Sequence, residues 1–144
     1  MKNKPLQGVS LLLVEDAADI ALSLSEVFRY AGAAKVEIKA SARQARKRLV
    51  VDPAPDMVLL DQHIAGGETG VQLALWMREQ PGLHQTLRIS YSGSDPDELR
   101  NQCPDNQVFH AIITKPIPIP HLVEALTNLL STDTDAHDTD AQSP

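Results

Sequence analysis

Five side chains in the 144-residue sequence are of types, and at spacings, that could do chemistry together: Glu15, Asp16, Asp61, Ser92 and Lys115. Each stands at or just beyond the end of a short apolar run. The run VSLLLV (9–14) is followed by Glu15 and Asp16, DMVLL (56–60) by Asp61, LRISY (87–91) by Ser92, and VFHAII (108–113) is closely followed by Lys115. In an open parallel sheet the carboxyl ends of the strands form the ligand crevice, at the point where strand order reverses. If the first and third runs are neighbouring strands, the three carboxylates converge. Two such charges about 4 Å apart repel by roughly 4 kcal/mol at an effective dielectric near 20. The cluster therefore calls for a proton or a divalent cation, and hard carboxylate oxygens with room for water select Mg2+. Ser92 adds a hydroxyl beside the backbone N–H of Gly93, and Lys115, ahead of Pro116, adds an ammonium. A carboxylate nucleophile, a cation, a hydroxyl donor and an ammonium are the parts needed to accept a phosphoryl group. The nucleophile attacks while the cation and lysine neutralise charge on the transferring oxygens.

The elements that must position these groups alternate along the chain. Val9 to Val14 is a continuous apolar run, the pattern of a strand buried on both faces. Val36 to Ile38, Asp56 to Leu60, Leu87 to Tyr91 and Val108 to Ile113 supply four more strands. Between them the spacing predicts helices. Asp19 to Ala31 carries Ile20, Leu24, Val27 and Ala31 as an inward stripe, with Gly32 as C-cap. Ser41 caps a helix that turns Ala42, Ala45 and Leu49 inward. Leu73, Trp76 and Met77 mark a third helix, stopped before Pro81, with Trp76 read as core. Asp95 caps a short fourth with Pro96 at its first position, and Pro120 to Leu130 forms the fifth, with Leu122, Leu126, Leu129 and Leu130 on one face. Five strand–helix pairs in strict alternation imply an α/β fold, a five-stranded parallel sheet wound on both sides by helices through right-handed crossovers.

Composition fits one domain. Apolar residues make up 42% and aromatics 3%, so the core is built from Leu, Val, Ile and Ala. The net charge of −6 is concentrated in residues 131–144, which hold four Asp and no Lys or Arg. A near-neutral body gives no electrostatic case for nucleic acid or an anionic membrane as partner. The cluster Arg43, Arg46, Lys47, Arg48 reads as a solvated helix face. The single cysteine, Cys103, cannot form an internal disulfide, and no stretch approaches a membrane span, so the expected location is the cytoplasm. The histidines lack zinc-ligand spacing; His121 is expected to be exposed at the start of the fifth helix, and His63 is the one placed near the chemistry. The division expected is an N-terminal extension (1–7), one domain (8–130) and a disordered acidic tail (131–144).

In order and spacing, LLLVED (11–16), DMVLLD (56–61), ISYSGS (89–94) and ITKPI (113–117) resemble the response-regulator receiver family of bacterial two-component signalling, over about residues 8 to 130. The resemblance implies a flavodoxin-like (βα)5 fold with strand order 2-1-3-4-5. It implies that Asp61 is the phosphoacceptor, and that Asp16 binds Mg2+ directly with Glu15 acting partly through water. Asp61 and the backbone carbonyl of His63 would complete the protein's share of the coordination. Ser92 would bond a phosphoryl oxygen, Lys115 would pair with the phosphate, and the Lys115–Pro116 bond would be cis. The phosphoryl group would come from a phosphohistidine on a histidine kinase or phosphotransfer protein. A downstream output protein would read the face from Asp95 to Leu130. Such a domain catalyses only its own phosphorylation and dephosphorylation, and works as a stand-alone regulator or as a module of a hybrid sensor kinase.

The chain departs from the family pattern in places. Ile112 stands where an aromatic residue commonly precedes the lysine by three, so a rotating ring is not available there. Ala65 replaces a common proline, and QHIAGGETG is one residue longer than usual, with Gly66 and Gly67 adding freedom. These departures leave open a degenerate receiver that binds a partner without phosphorylation. A phosphohydrolase with an Asp nucleophile is a further reading, but it needs a second Asp where His63 stands.

Overall fold

The computed structural model describes residues 4–142, with side chains described to residue 131. Five strands form one parallel sheet: β1 (Ser10–Val14), β2 (Lys35–Lys39), β3 (Met57–Leu60), β4 (Leu87–Ser92) and β5 (Ala111–Thr114). Their order is β2-β1-β3-β4-β5, as expected. Helices α1 (Ala18–Tyr30), α2 (Ala42–Leu49), α3 (Gly70–Arg78), α4 (Pro96–Asn101) and α5 (Ile119–Gln142) alternate with them, and a single 3-10 turn at Pro81–Leu83 precedes β4. From residue 132 onward, the expectation of a disordered acidic tail lies outside the residues whose side chains are described.

Strand side chains alternate between two core layers. Leu11 and Leu13, Met57 and Leu59, and Leu87 and Ile89 face α1 and α5, meeting Leu24, Phe28, Leu122 and Leu126. Leu12 and Val14, with Val58 and Leu60, face the other side, against Ala45 and Leu49 of α2, Leu73 and Met77 of α3, and Leu99 of α4. Because both faces are covered, strand sequences read as unbroken apolar runs. The chain leaves β1 for β2 on one side and returns to β3 on the other, so strand order reverses between β1 and β3. The register pairs Val14 with Leu60, which aligns the C-terminal ends of these two strands.

Helix caps follow the sequence closely. Ser41 Oγ accepts from the Gln44 N–H, and Asp95 accepts from the Asp97 N–H. Thr69 and Gln72 form a reciprocal capping box at the start of α3. α1 ends with the Gly32 N–H on Arg29 O and the Ala33 N–H on Phe28 O, the paired bonds of a Schellman motif. Gly32 has φ +107°, and a Cβ there would lie 2.7 Å from Lys4 Cβ. The approaching segment is itself anchored: Leu6 is fully buried and its N–H donates to Ala31 O.

Three details differ from the sequence reading. The inward stripe of α1 is Ala21, Leu24, Ser25 and Phe28, whereas Ile20 is 40% exposed. The wide Phe28 ring, fully buried, sets the helix rotation; Leu24 lies on both stripes, while Ile20 belongs to the neighbouring one. The fifth strand begins at Ala111, paired with Ile89, not at Val108. Val108 and Phe109 both enter the α2–α3–α4 layer, which consecutive residues of a flat strand cannot do. The backbone there is held instead by Arg88, whose guanidinium donates to Val108 O at 2.7 Å and Gln107 O at 3.0 Å. Of the four basic residues of α2, Arg43 and Lys47 are exposed as expected, whereas Arg46 and Arg48 are less free. Arg46 pairs with Glu68 and lies over the half-buried Trp76 ring, and Arg48 pairs with Glu37 while donating to Val51 O and Pro53 O.

The rotation of α1 gives a direct test by chemical denaturation. Phe28→Ala is expected to cost about 3–5 kcal/mol of unfolding free energy, and Ile20→Ala less than about 1 kcal/mol, as for a half-exposed site. A larger loss at Ile20 than at Phe28 would contradict the packing described.

Candidate functional site

The site forms where strand order reverses. Glu15 and Asp16 follow β1 directly and Asp61 follows β3, held in place by bonds that extend the sheet: Glu15 N–H to Lys39 O and Asp61 N–H to Val14 O. The carboxylate oxygens of Glu15, Asp16 and Asp61 lie within 4.8 Å of one another, the one such acidic or metal-ligating group among the described residues. Glu15 is buried, Asp61 half-buried and Asp16 exposed, so the cluster opens to solvent on the Asp16 side. Lys115, one residue past β5, reaches across the strand ends. Its ammonium lies 3.2 Å from Glu15 Oε1 and 3.6 Å from Asp61 Oδ2. Its backbone N–H donates to Ser92 O at 2.8 Å, and the Lys115–Pro116 bond is cis, as expected.

The electrostatics follow from this crowding. Burial pushes the Glu15 carboxyl above its ordinary range; the Ala17 N–H and the Lys115 ammonium counter only part of that, and the Asp61 charge adds to the rise. Burial alone would pull Lys115 down, but Asp61 first and Glu15 next outweigh it and hold the ammonium above the usual lysine value. While its carboxylate partners are ionised, this pairing supports the fold fully below the unfolded lysine value of 10.5, and on the alkaline side it is lost as pH rises through the raised one. Glu15 acts in the opposite sense. Its folded carboxyl holds a proton more tightly than the unfolded one, so just above 4.5 the metal-free fold loses stability as pH rises.

Three carboxylates facing one ammonium leave two negative charges uncompensated, the complement of a divalent cation. The donor set is all hard oxygen, and exposed Asp16 leaves room for water ligands, which suits Mg2+ better than a softer metal. The residues present therefore fit such an ion.

The remaining sequence candidates sit around this centre. Ser92 ends β4, is buried, and its Oγ accepts from the Ser94 N–H at 3.3 Å, which leaves its own proton to donate. His63 is exposed and its backbone N–H donates to Asp61 Oδ1 at 3.3 Å. The Ala65 N–H donates to Ala40 O, tying this loop to the start of α2, a bond that the more common proline could not make. Gly66 and Gly67, at φ +98° and +84°, then turn the chain into α3.

Gln62 escaped the sequence reading. It follows the candidate nucleophile directly, is buried, and bridges two elements: its Nε2 donates to Ser90 Oγ at 3.3 Å and its Oε1 accepts from the Val71 N–H at 3.1 Å. Gly70 admits this side chain, because a Cβ there would lie 2.7 Å from Gln62 Nε2 and 2.6 Å from Asp61 O. Ser90, a small polar residue set into the apolar run LRISY, was the only sequence signal of this bridge; Gln62 itself stands between Asp61 and His63 and announces nothing.

The chain matches the model of the response regulator receiver domain over residues 11–127. No curated protein matches it. Among solved structures, it is similar to the signal receiver domain of a signal transduction histidine kinase from Syntrophus aciditrophicus, at 26% identity and a TM-score of 0.74, covering 87% of this chain and 92% of that one. A sensor protein from Polaromonas sp. JS666 aligns at 20% identity and TM-score 0.75, covering 86% and 97%. The receiver domain of a sensor histidine kinase from Pseudomonas aeruginosa PAO1, with a magnesium ion coordinated in its active-site cleft, aligns at 20% and 0.73, covering 86% and 98%.

Gln62→Leu is expected to lower unfolding free energy by about 1–3 kcal/mol, because the Val71 N–H is left buried without its acceptor. Denaturant titration of wild type and variant measures this, and an unchanged midpoint would show that the bridge carries no stability. The family match, the strand order and the converged acids together place this chain in the response-regulator receiver family, whose members accept a phosphoryl group in signalling and catalyse only their own modification.

Proposed function

We propose that Asp61 is the phosphoacceptor of this receiver, that Glu15, Asp16, Asp61 and the backbone carbonyl of His63 hold Mg2+, and that Ser92 and Lys115 bind the transferred group. The observation that carries this reading is the Lys115 ammonium poised between Glu15 and Asp61, 3.6 Å from the nucleophile's carboxylate. The donor would be a phosphohistidine on a histidine kinase or phosphotransfer protein, the type of chain to which receiver domains of sensor kinases, similar in fold to this one, belong. A half-buried free thiol and the lack of any helix long and apolar enough to cross a membrane, among the described residues, suit a cytoplasmic setting.

In the transfer, a carboxylate oxygen of Asp61 attacks phosphorus in line. The new O–P bond forms as the P–N bond to the donor imidazole breaks, and the imidazole leaves with the bonding electron pair. Bound Mg2+ supplies charge neutralisation on the phosphoryl oxygens. Lys115 turns from Asp61 toward a phosphoryl oxygen and continues to offset the charge that the nucleophile has passed on. The Ser92 hydroxyl donates its proton to another oxygen, with its lone pair still anchored by Ser94 N–H. The His63 N–H keeps the Asp61 side chain oriented. In hydrolysis water attacks phosphorus instead: its oxygen forms a new O–P bond as the O–P bond to Asp61 breaks, the carboxylate leaves with the bonding pair, and the water's proton passes to solvent as inorganic phosphate departs.

Signal output then rests on the movement of Ser92 and β4. Ile112 is half-buried against the α2–α3–α4 layer and pairs with Ser90 in the sheet. Output toward α4, β5 and α5 would thus pass by strand and loop displacement.

Two measurements test the reading. Incubation with Mg2+ and acetyl phosphate is expected to add one phosphoryl group by intact mass, absent without metal and in Asp61→Asn. An adduct of equal yield in that variant would overturn the assignment. Mg2+ at about a hundred times its dissociation constant should stabilise the fold by roughly 2.7 kcal/mol, an increment seen by thermal denaturation and strongly reduced in Asp16→Asn. Equal stabilisation in that variant would remove Asp16 from the ligand set.

A further inference from the structure

Lys115 has a third partner that the phosphoacceptor chemistry does not use. Its ammonium lies 4.9 Å from the centroid of the Tyr91 ring. Tyr91 is on β4, next to Ser92 and paired with Ile113, and it faces the layer of α1 and α5 together with Leu87 and Ile89. The ring is half-buried, so it meets the ammonium with little water between them. Burial pushes the phenol above its ordinary range against the pull of the Lys115 charge, and the ring stays a neutral π system.

We propose that Tyr91 is a positioning residue for phosphoryl capture, its ring supporting the Lys115 ammonium while that group turns from the carboxylates of Glu15 and Asp61 to a phosphoryl oxygen. This rests on the assignment of Asp61 as phosphoacceptor. The physical reason lies in the shapes of the two attractions. A carboxylate holds an ammonium through directed hydrogen bonds at one distance. An aromatic face attracts a cation over a broad area within about 6 Å of its centroid. As the ammonium leaves Glu15 Oε1 it loses a directed bond, and the ring then carries a larger share of its support, so the contact is worth more in the phosphoryl-bound state than in the free one. Without the ring, Lys115 must choose between remaining on the carboxylates and extending into solvent, and fewer chains are poised for the incoming group.

The position of the ring adds a link to Ser92. Adjacent residues on one strand move together, so a shift of β4 that brings the Ser92 hydroxyl to the phosphoryl group carries the Tyr91 ring with it. Ile112, packed in the opposite layer, cannot supply this support. The chain thus places an aromatic beside its lysine from β4, while the position three before the lysine holds an aliphatic side chain.

The test compares Tyr91→Phe, which keeps the π face, with Tyr91→Leu, which removes it, by 19F NMR titration of Mg2+ and beryllofluoride as the phosphoryl mimic. Tyr91→Phe is expected to bind within about twofold of wild type, and Tyr91→Leu about three- to tenfold more weakly, the range of a partly desolvated cation–π contact. In a Lys115→Met background the leucine substitution should have no further effect. A folded Tyr91→Leu protein that binds like wild type overturns the proposal, as does a leucine effect that persists without Lys115, since a packing role alone would give that result. Tyr91→Met keeps bulk without a π face and takes the place of leucine if that variant does not fold. If the wild type itself fails to bind beryllofluoride, the phosphoacceptor assignment fails first and the role of Tyr91 falls with it.

Discussion

The chemistry of the whole domain depends on one electrostatic constraint, the crowding of Glu15, Asp16 and Asp61 at the ends of two adjacent strands. Such a cluster is unfavourable in itself. It is tolerated because Lys115 reaches it from β5, two strands away from β3, and because one side stays open to water. The acids, the lysine and the serine come from four strand ends, so no short peptide could hold them. The sheet must be complete, and in this order, before the charges meet.

That requirement explains where the structure spends its packing. β1, β3 and β4 are buried on both faces by Leu, Val, Ile and Met, which fixes the register that aligns Val14 with Leu60 and hence Glu15 with Asp61. The loops beyond the strand ends carry the hydrogen bonds that tie the site to its neighbours. Gln62 ties the nucleophile's neighbour to β4 and α3, and Ala65 ties the following loop to the start of α2. Rigid strands set the distances, and the loops limit how far Asp61 can stray from them.

Much of this was legible in the sequence, for identifiable reasons. Strands buried on both faces give uninterrupted apolar runs, so β1 and β3 and the acids that follow them could be read without a structure. Ser41 and Asp95 announced α2 and α4 because capping is a local interaction. The errors arose where a distant partner decides the outcome. The rotation of α1 is set by Phe28 against the sheet, and Val27 and Ile20 formed an equally regular stripe on paper. Val108 and Phe109 look like strand residues, but Arg88, twenty positions earlier, holds that backbone away from the sheet. Gln62 and Tyr91 were missed for the same reason. Their partners, Ser90, Val71 and Lys115, lie on other elements, and neither residue type announces such a contact by itself.

The central claim is that the acid beside Lys115, and not its neighbours, receives the phosphoryl group. Its most direct test is to phosphorylate the protein with acetyl phosphate, trap the acyl phosphate with borohydride, and locate the reduced residue by peptide mass. Modification at Asp61 alone is the expected result. Modification at Glu15 or Asp16, or at any residue outside the crevice, would contradict the account.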